Sequence, residues 1–335
     1  MVAQATRRAI PHFGIIIRRY STPSATRDSQ ILPLPDGRVL GFSESGISTG
    51  YPVLFFHGFP SSRLEANYID GLARKQNLRV ITPDRPGFGI STLQPNRRIM
   101  DWPADVKSLT AHLDLSRFAI LGGSGGGPYA LAYAKALPPE TLSAVGLLAS
   151  APPWEAGTSD LMRTQKIAHH LSTNWPSTMR LFSDVLVATT RKVLSSTVGT
   201  FLVNKMLEKS NAAAVSKESS PKGNHAMKSS IDHQREQMLR ALFEGFAQGA
   251  EGFVHEAKLL THPWGIDFEG VAYDGIQIWH GSRDVNAPIS MIRWMAKRLP
   301  WAELHEFDDT HFSLAQHLDR ILGDLVTEEE KGISR

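Results

Sequence analysis

The chain of 335 residues contains no cysteine. A disulfide framework, a thiolate metal site and a cysteine nucleophile are therefore excluded. The absence does not assign a redox compartment, because a chain without thiols tolerates both reducing and oxidising surroundings.

Long apolar runs are also missing from the sequence. The N-terminal stretch "FGIIIRRY" (13–20) has too few apolar residues to cross a bilayer, and no other uncharged run is long enough. We therefore predict no transmembrane segment. The apolar fraction of 41% is still sufficient for one large packed domain.

Acidic residues are absent from the first 27 positions, which contain five arginines. This composition, rich in Arg, Ser and Thr, is typical of mitochondrial transit peptides, and "RRYST" (18–22) resembles a processing site with a cut after Tyr20. A mitochondrial location is expected, and the alternative is a disordered basic tail on a cytoplasmic protein. Without the leader, the net charge changes from +3 to −2, so the pI of 9.1 does not indicate nucleic-acid binding.

Strand and helix patterns alternate along most of the chain, which predicts an α/β fold with a mostly parallel sheet and helices on both faces. The predicted strands are two within 31–46, around Asp36-Gly37, and one each in 52–58, 78–87, 117–123, 142–150, 276–281 and 302–307. The predicted helices cover 61–76, 100–115, 126–137, 288–299 and a segment from about Phe312.

The alternation is interrupted after the sixth predicted strand. Residues 152–270 have helical periodicity and few strand signals, and 210–230 form a polar stretch typical of a mobile connection. We therefore divide the chain into a basic leader (1–27), a core (28–151 and 271–335) and a helical insertion (152–270).

The most informative segment is "LGGSGGGP" (121–128), which lies between a predicted strand and a predicted helix. A P-loop would need a lysine after the glycines, and a dinucleotide fingerprint would place its last glycine where Pro128 stands. The segment does contain GxSxG, with Ser124 between Gly122 and Gly126. In a strand–turn–helix context this motif predicts a nucleophile elbow that exposes Ser124 above the sheet. The alternative is a glycine-rich turn with an ordinary serine.

A serine nucleophile needs a histidine base and an acid that orients the histidine. Asp284 follows the predicted strand 276–281, and His311 follows the strand 302–307. Both loops are expected at the edge of the sheet where Ser124 lies, so we predict a Ser124–Asp284–His311 triad. The rival acids Asp308 and Asp309 are expected to be loop or cap residues because they are too close to His311 in the chain. His280, at a strand end, is expected to be structural.

The negatively charged intermediate of acyl transfer needs two backbone N–H donors. We predict Gly125, just after the nucleophile, as one donor. The second is expected from "HGFP" (57–60), where Phe59 is the candidate, His57 and Gly58 shape the turn, and Pro60 has no N–H.

Together these motifs resemble the α/β-hydrolase family, with the likeness extending over most of residues 30–330. It is carried, in family order, by "HGFP" (57–60), "DRPGFGIS" (84–91), "GGSGGGPYALA" (122–132), "HGSRD" (280–284) and "DDTHF" (308–312). The resemblance implies that "DRPGFGIS" supports the floor of the active site. It also implies that 152–270 form a cap over Ser124, with "PWGIDFEG" (263–270) as the return to the core.

The resemblance also argues against two member classes. Epoxide hydrolases and dehalogenases carry aspartate at the elbow, where this chain has Ser124. Epoxide hydrolases also use cap tyrosines, and all six tyrosines of this chain lie outside 152–270.

The sequence as a whole predicts a serine hydrolase that acts on an ester, thioester or lactone without metal or cofactor. Its expected partner is a small molecule with an apolar part. The apolar residues in 179–207 are expected to pack between cap and core or to form a wall for such a group. Two alternatives stay open: a lyase or cofactor-free oxygenase with the same site, and a ligand-binding homologue without turnover.

Overall fold

The computed structural model describes residues 27–217 and 231–332. The predicted leader therefore lies outside the described residues, except for Arg27. Most of the predicted mobile connection at 210–230 lies outside them as well. Across the described ranges, no helix is both long enough and apolar enough to cross a bilayer.

The described chain forms one eight-stranded sheet, which confirms the predicted α/β fold. Its spatial order is β1-β2-β4-β3-β5-β6-β7-β8; β2 runs antiparallel to both its neighbours, and all other pairs are parallel. The strands are β1 (Gln30–Pro33), β2 (Val39–Gly46), β3 (Tyr51–Phe56), β4 (Leu78–Pro83), β5 (Phe118–Gly123), β6 (Leu142–Leu148), β7 (Ile276–Gly281) and β8 (Ala302–Phe307).

Helices cover both faces of this sheet. They are α1 (Asp70–Lys75), α2 (Trp102–His112), α3 (Gly127–Ala136), α9 (Ile289–Ala296) and α10 (Leu318–Leu325). One apolar cluster joins α2, α3 and α9 to the sheet, and a second joins α1 and α10 to it. The central strands are buried on both sides, which explains their nearly continuous apolar sequences.

A helical segment separates β6 from β7 in the part of the chain where the sequence predicts an insertion. It consists of α4 (Arg163–Asn174), α5 (Pro176–Leu194), α6 (Thr197–Lys217), α7 (Ile231–Glu244) and α8 (Glu251–Leu260). Helix α4 contacts α8, and α5 contacts both α4 and α8, while α6 contacts α5 and α7. The return segment then buries Trp264, Ile266 and Phe268 in the larger core cluster.

The prediction for 179–207 is wrong for most of the segment. Met179 and Val203 are buried, but nine other apolar side chains of α5 and α6 are exposed to solvent. None of these nine lines the cavity that contains Ser124. The helices form as predicted, but the apolar faces of α5 and α6 are covered neither by the core nor by that cavity.

Candidate active site

Ser124 lies on a sharp turn between β5 and α3. Its backbone has a φ of +49°, which non-glycine residues rarely adopt, and a short 3-10 helix (Ser124–Gly126) connects the strand to α3. A Cβ on Gly122 would lie 2.6 Å from the Gly126 carbonyl oxygen, and one on Gly126 would lie 2.0 Å from the Phe56 carbonyl oxygen. Both positions therefore require glycine, and the turn has the geometry predicted for a nucleophile elbow.

The structure brings Ser124, His311 and Asp284 together, although they are far apart in the sequence. His311 Nε2 lies 3.1 Å from Ser124 Oγ, and His311 Nδ1 lies 2.7 Å from Asp284 Oδ2. The Nδ1 atom faces a carboxylate, so it carries the proton, and Nε2 is free to accept the serine proton. These are the contacts that a Ser–His–Asp triad requires.

Asp284 is held in one orientation by four donors. Its Oδ1 accepts the backbone N–H groups of Asn286 (2.8 Å) and Ala287 (2.9 Å), while Oδ2 faces His311 and His280. Burial alone would raise the pKa of Asp284, but hydrogen bonds from His280, His311 and Ala287 hold this pKa below its usual value. The carboxylate is therefore ionised at neutral pH and oriented toward His311.

His280 contacts the acid directly, a role that the sequence did not reveal. Its Nε2 lies 2.8 Å from the Ala287 carbonyl oxygen, which only accepts, so Nε2 carries the proton. The same N–H points toward Asp284 Oδ2 at 3.3 Å. His280 is fully buried. It therefore contacts the oxygen of the Asp284 carboxylate that also faces His311.

The rival acids lie away from the triad. Asp309 accepts hydrogen bonds from Ser313, Gln316 and His317, so it holds the start of the following helical turn. The side chain of Asp308 is 85% exposed and pairs with Arg283. Neither side chain has a hydrogen bond or ion pair with His311 in the described part of the chain.

The two predicted oxyanion-hole donors lie side by side above the elbow. A Cβ on Gly125 would lie 3.3 Å from the Phe59 backbone nitrogen. The Phe59 N–H donates to no other backbone group of the described chain, and Gly125 is the second residue of its 3-10 helix, so its N–H has no partner within the helix. Two unpaired amides beside a nucleophile are the arrangement that binds an oxyanion.

The loop that carries Phe59 is fixed by buried hydrogen bonds. His57 Nε2 accepts the Arg85 backbone N–H (3.2 Å), and His57 Nδ1 lies 2.9 Å from the Gly58 carbonyl oxygen. Burial, and then the charge of Arg85, hold the pKa of His57 well below its usual value, so the ring is neutral. These contacts hold the His57 ring against the loop, and both ring nitrogens have backbone partners.

Arg85 connects this loop to the helical insertion. Its guanidinium donates to the carbonyl oxygens of His57 and Gly58 and to Glu256 on α8, where Arg85 Nε lies 2.7 Å from Oε1. Glu256 also accepts from Arg97 and from the Tyr129 hydroxyl, which lies 2.7 Å from its Oε2. Burial alone would raise the pKa of Glu256, but the two arginines hold this pKa below its usual value. This buried network was not predicted from the sequence.

Replacing Glu256 by glutamine is expected to destabilise the fold by about 3–5 kcal/mol, because it leaves the Arg85 and Arg97 charges buried without a counter-charge. Urea unfolding monitored by circular dichroism measures this effect. Glu251→Gln is the matched control, since Glu251 lies on the same helix, is 52% exposed and pairs with Arg180. A loss as small as that of the control would mean that the network does not hold α8 to the loop.

Glu65 is a further site residue that no sequence motif indicated. Its Oε2 accepts the Gly58 N–H at 2.9 Å, and the side chain lines the cavity above Ser124. Burial raises the pKa of Glu65. The hydrogen bond fixes the peptide between His57 and Gly58, which directly precedes the peptide that carries the Phe59 N–H. No signal in the sequence distinguishes Glu65 from a solvent-exposed helical glutamate.

Ser124 and His311 line a cavity of ≈ 800 Å³ with a mainly apolar lining. The core contributes Phe55, Leu148 and Leu314, and the insertion contributes Met162, Ala168 and Leu260. The cavity is large enough for a small organic molecule. Among the described residues, no group of three or more His, Asp or Glu side chains has the arrangement of a metal site.

A family model described as the alpha/beta hydrolase fold matches residues 51–318, which is most of the chain. The chain belongs to the α/β-hydrolase fold family. This assignment agrees with the sheet order and with the resemblance that the motifs indicated.

Individual relatives of this α/β-hydrolase are distant. It is 30% identical over 124 residues to a probable proline iminopeptidase of Leptolyngbya boryana, covering 36% of this chain and 38% of that protein. It is 36% identical over 120 residues to a non-heme chloroperoxidase of Streptomyces lividans, covering 35% and 43%. These matches therefore span less than half of each relative's length.

A solved structure shows the same fold over a longer range. An alpha/beta hydrolase fold protein from Nakamurella multipartita superposes with a TM-score of 0.60 at 16% identity, covering 91% of this chain and 99% of that one. At this identity the likeness establishes the fold alone.

Proposed function

We propose that the protein is a serine hydrolase that cleaves an ester, thioester or lactone through an acyl-enzyme. The observation that carries this proposal is the hydrogen-bonded chain Ser124–His311–Asp284, with contacts of 3.1 Å and 2.7 Å, next to the free amides of Phe59 and Gly125. Membership of the α/β-hydrolase family supports it. The chemistry needs no cofactor, because nucleophile, base and oxyanion donors all come from this chain.

In the acylation half of the reaction, Ser124 Oγ attacks the carbonyl carbon while its proton moves to His311 Nε2. The imidazolium that forms is stabilised by Asp284, and the tetrahedral oxyanion is bound by the N–H groups of Phe59 and Gly125. Collapse of the intermediate breaks the bond to the leaving alcohol or thiol, which takes the proton from His311. An acyl group is then bound to Ser124.

Deacylation repeats these steps with water. His311 removes a proton from the water molecule, whose oxygen attacks the acyl carbon. A second oxyanion forms between the N–H groups of Phe59 and Gly125. Its collapse releases the carboxylic acid, and His311 returns its proton to Ser124 Oγ. The enzyme is then back in its starting state.

The cavity lining supports a substrate with an apolar part. We propose that the insertion acts as a cap, since Met162 just before α4, Ala168 on α4 and Leu260 on α8 line the same cavity as Ser124. Burial of an alkyl or aryl group against these side chains would contribute binding energy.

Amide hydrolysis is the second candidate, and the similarity to a probable proline iminopeptidase favours it. The same triad and oxyanion hole would serve a peptide bond at a chain terminus. A cofactor-free lyase or oxygenase, or a ligand-binding homologue, would keep the site but release no acid from a simple ester. Substrate profiling separates these functions.

Labelling with a fluorophosphonate tests the proposal, because the reagent phosphonylates a serine only where a base activates it. We expect one adduct per chain by intact mass and its assignment to Ser124 by peptide mapping. Ser124→Ala should take up no label. Ser61→Ala should be labelled like wild type, since Ser61 lines the same cavity but His311 hydrogen-bonds to Ser124.

Hydrolysis of nitrophenyl esters, lactones and proline arylamides then identifies the substrate class. Preferential turnover of esters or lactones supports the first candidate, and preferential turnover of the arylamide supports the second. Absence of an adduct on Ser124, or an adduct that persists in Ser124→Ala, contradicts the assignment of the nucleophile.

A further inference from the structure

Helices α5 and α6 expose an unusual amount of apolar surface. We define the hairpin surface as the nine exposed apolar side chains of these two helices, which are 54% to 72% exposed: Leu181, Phe182, Val185, Leu186, Val193, Val198, Phe201, Leu202 and Met206. Contiguous apolar surface of this kind on a water-soluble domain commonly marks an interaction site.

The exposed side chains follow helical spacing on each helix. On α5 the positions are 181, 182, 185 and 186, and on α6 they are 198, 201, 202 and 206. Residues spaced in this way form one stripe along a helix. The other side of each helix is occupied, since Met179 and Val203 are buried and α5 and α6 contact each other. The hairpin surface therefore consists of two adjacent stripes that face away from the body of the insertion.

The charges on the same faces are mostly positive. Lys192 on α5 and Lys205 and Lys209 on α6 are exposed, and none of them has an ion-pair partner in the described part of the chain. Glu208 is the one acidic residue in 198–209. Apolar stripes accompanied by lysine are typical of helices that lie in the interface of an anionic bilayer.

This charge pattern argues against a second copy of the chain as the partner. A symmetric dimer through the hairpin surface would place the lysines of both copies on one interface with few acidic residues to pair with them, which is unfavourable. A bilayer that contains anionic lipid offers both an apolar interior and negative headgroups, and it matches both properties of the surface.

We propose that the hairpin surface binds this protein to anionic lipid membranes as a peripheral, interfacial contact. The contact does not cross the bilayer, in agreement with the lack of a membrane-spanning helix among the described residues. Helix α5 packs on α4 and α8, both of which line the cavity of Ser124. When the hairpin surface is bound to lipid, α4 and α8 would therefore separate α5 from the cavity. The proposal does not depend on the nature of the reaction at Ser124.

The test is co-sedimentation of the full chain with vesicles of phosphatidylcholine alone and of equal parts phosphatidylcholine and phosphatidylglycerol. We expect binding to the anionic vesicles that weakens as salt is added, because screening reduces the attraction. The variant Phe182→Gln with Phe201→Gln should lower the partition coefficient by about tenfold or more through loss of inserted apolar surface. The variant Lys205→Gln with Lys209→Gln should lower it on the order of tenfold on anionic vesicles only.

Matched controls separate this surface from the rest of the chain. Ile31→Gln with Trp301→Gln removes two other exposed apolar side chains, and Lys107→Gln with Lys297→Gln removes two exposed lysines on core helices and loops. Both controls should bind like wild type. All variants retain the basic leader, so its contribution is constant. All should keep the wild-type melting temperature and circular dichroism spectrum because the changed side chains are exposed.

Three outcomes would overturn the proposal. If the wild-type protein does not sediment with anionic vesicles, the hairpin surface does not bind such membranes. Unchanged binding of the Phe182→Gln, Phe201→Gln variant would assign the membrane contact to another part of the chain. If the wild-type protein forms a dimer, does not bind vesicles, and loses the dimer in the Phe182→Gln, Phe201→Gln variant, the partner of the hairpin surface is a second copy of the chain.

Discussion

Ser124→Ala is expected to lower kcat for a nitrophenyl ester by about 10⁵- to 10⁶-fold, with a much smaller change in KM. Without Oγ there is no acyl-enzyme, and His311 Nε2, which lies 3.1 Å from that atom in the wild type, has no nucleophile to deprotonate. The Phe59 and Gly125 amides remain in place and account for the residual rate. Steady-state kinetics, with circular dichroism to verify the fold, measures the effect.

Ser61→Ala is the matched control for this experiment. Ser61 lines the same cavity, and Ser61→Ala also replaces a serine hydroxyl group by hydrogen. The hydrogen bond to His311, however, comes from Ser124. We expect its kcat to stay within about tenfold of wild type, as for substitutions that do not touch the reacting atoms. Wild-type turnover by Ser124→Ala would remove Ser124 from the mechanism altogether.

The proximity of Ser124, Asp284 and His311 could be predicted because a parallel sheet limits where its loops emerge. The carboxyl ends of β5, β7 and β8 lie at one edge, and Ser124, Asp284 and His311 each follow one of these strands. Loop placement also separated Asp284 from Asp308 and Asp309, although Asp309 lies two residues from His311. Gly122 and Gly126 could be identified from local geometry, because the sharp turn at Ser124 has no room for a Cβ at either position.

The support of the site could not be predicted, because it depends on contacts between distant segments. Arg85 and Glu256 are 171 positions apart, and neither has a sequence neighbour that indicates a buried partner. Their pairing fixes the carbonyl groups of His57 and Gly58, and thus the loop that presents Phe59. His280 and Glu65 are similar cases, since their roles depend on the tertiary positions of Asp284 and Gly58.

The apolar pattern of 179–207 shows a different limit of sequence reasoning. Helical spacing of Leu, Val and Phe predicts that an apolar stripe exists, but it does not say what covers the stripe. The structure leaves side chains such as Phe182 and Phe201 in solvent. The lysines nearby, which periodicity alone does not take into account, favour a lipid partner for this face.

Asp284→Asn is expected to lower kcat by about 10⁴-fold while leaving the fold intact. An asparagine has one oxygen in place of the two that the carboxylate offers. In the wild type, Oδ1 accepts the backbone N–H groups of Asn286 and Ala287, which cannot change their donor character. The amide oxygen of the variant should therefore occupy the Oδ1 position, and its NH₂ group should face His311.

This orientation would force His311 into the wrong tautomer. An NH₂ group in place of Oδ2 can only donate, so His311 Nδ1 would have to accept and the ring proton would move to Nε2. A protonated Nε2 in a neutral ring cannot take the proton of Ser124. Fluorophosphonate labelling should slow in parallel with ester turnover, because both reactions need the same base.

Asp309→Asn is the matched control for this change. Asp309 is also buried and close to His311 in the chain, but its carboxylate accepts from Ser313, Gln316 and His317. We expect its kcat to fall by less than about tenfold, since the triad contacts are untouched. A large loss of kcat in Asp309→Asn together with near wild-type turnover in Asp284→Asn would transfer the role of the acid from Asp284 to Asp309.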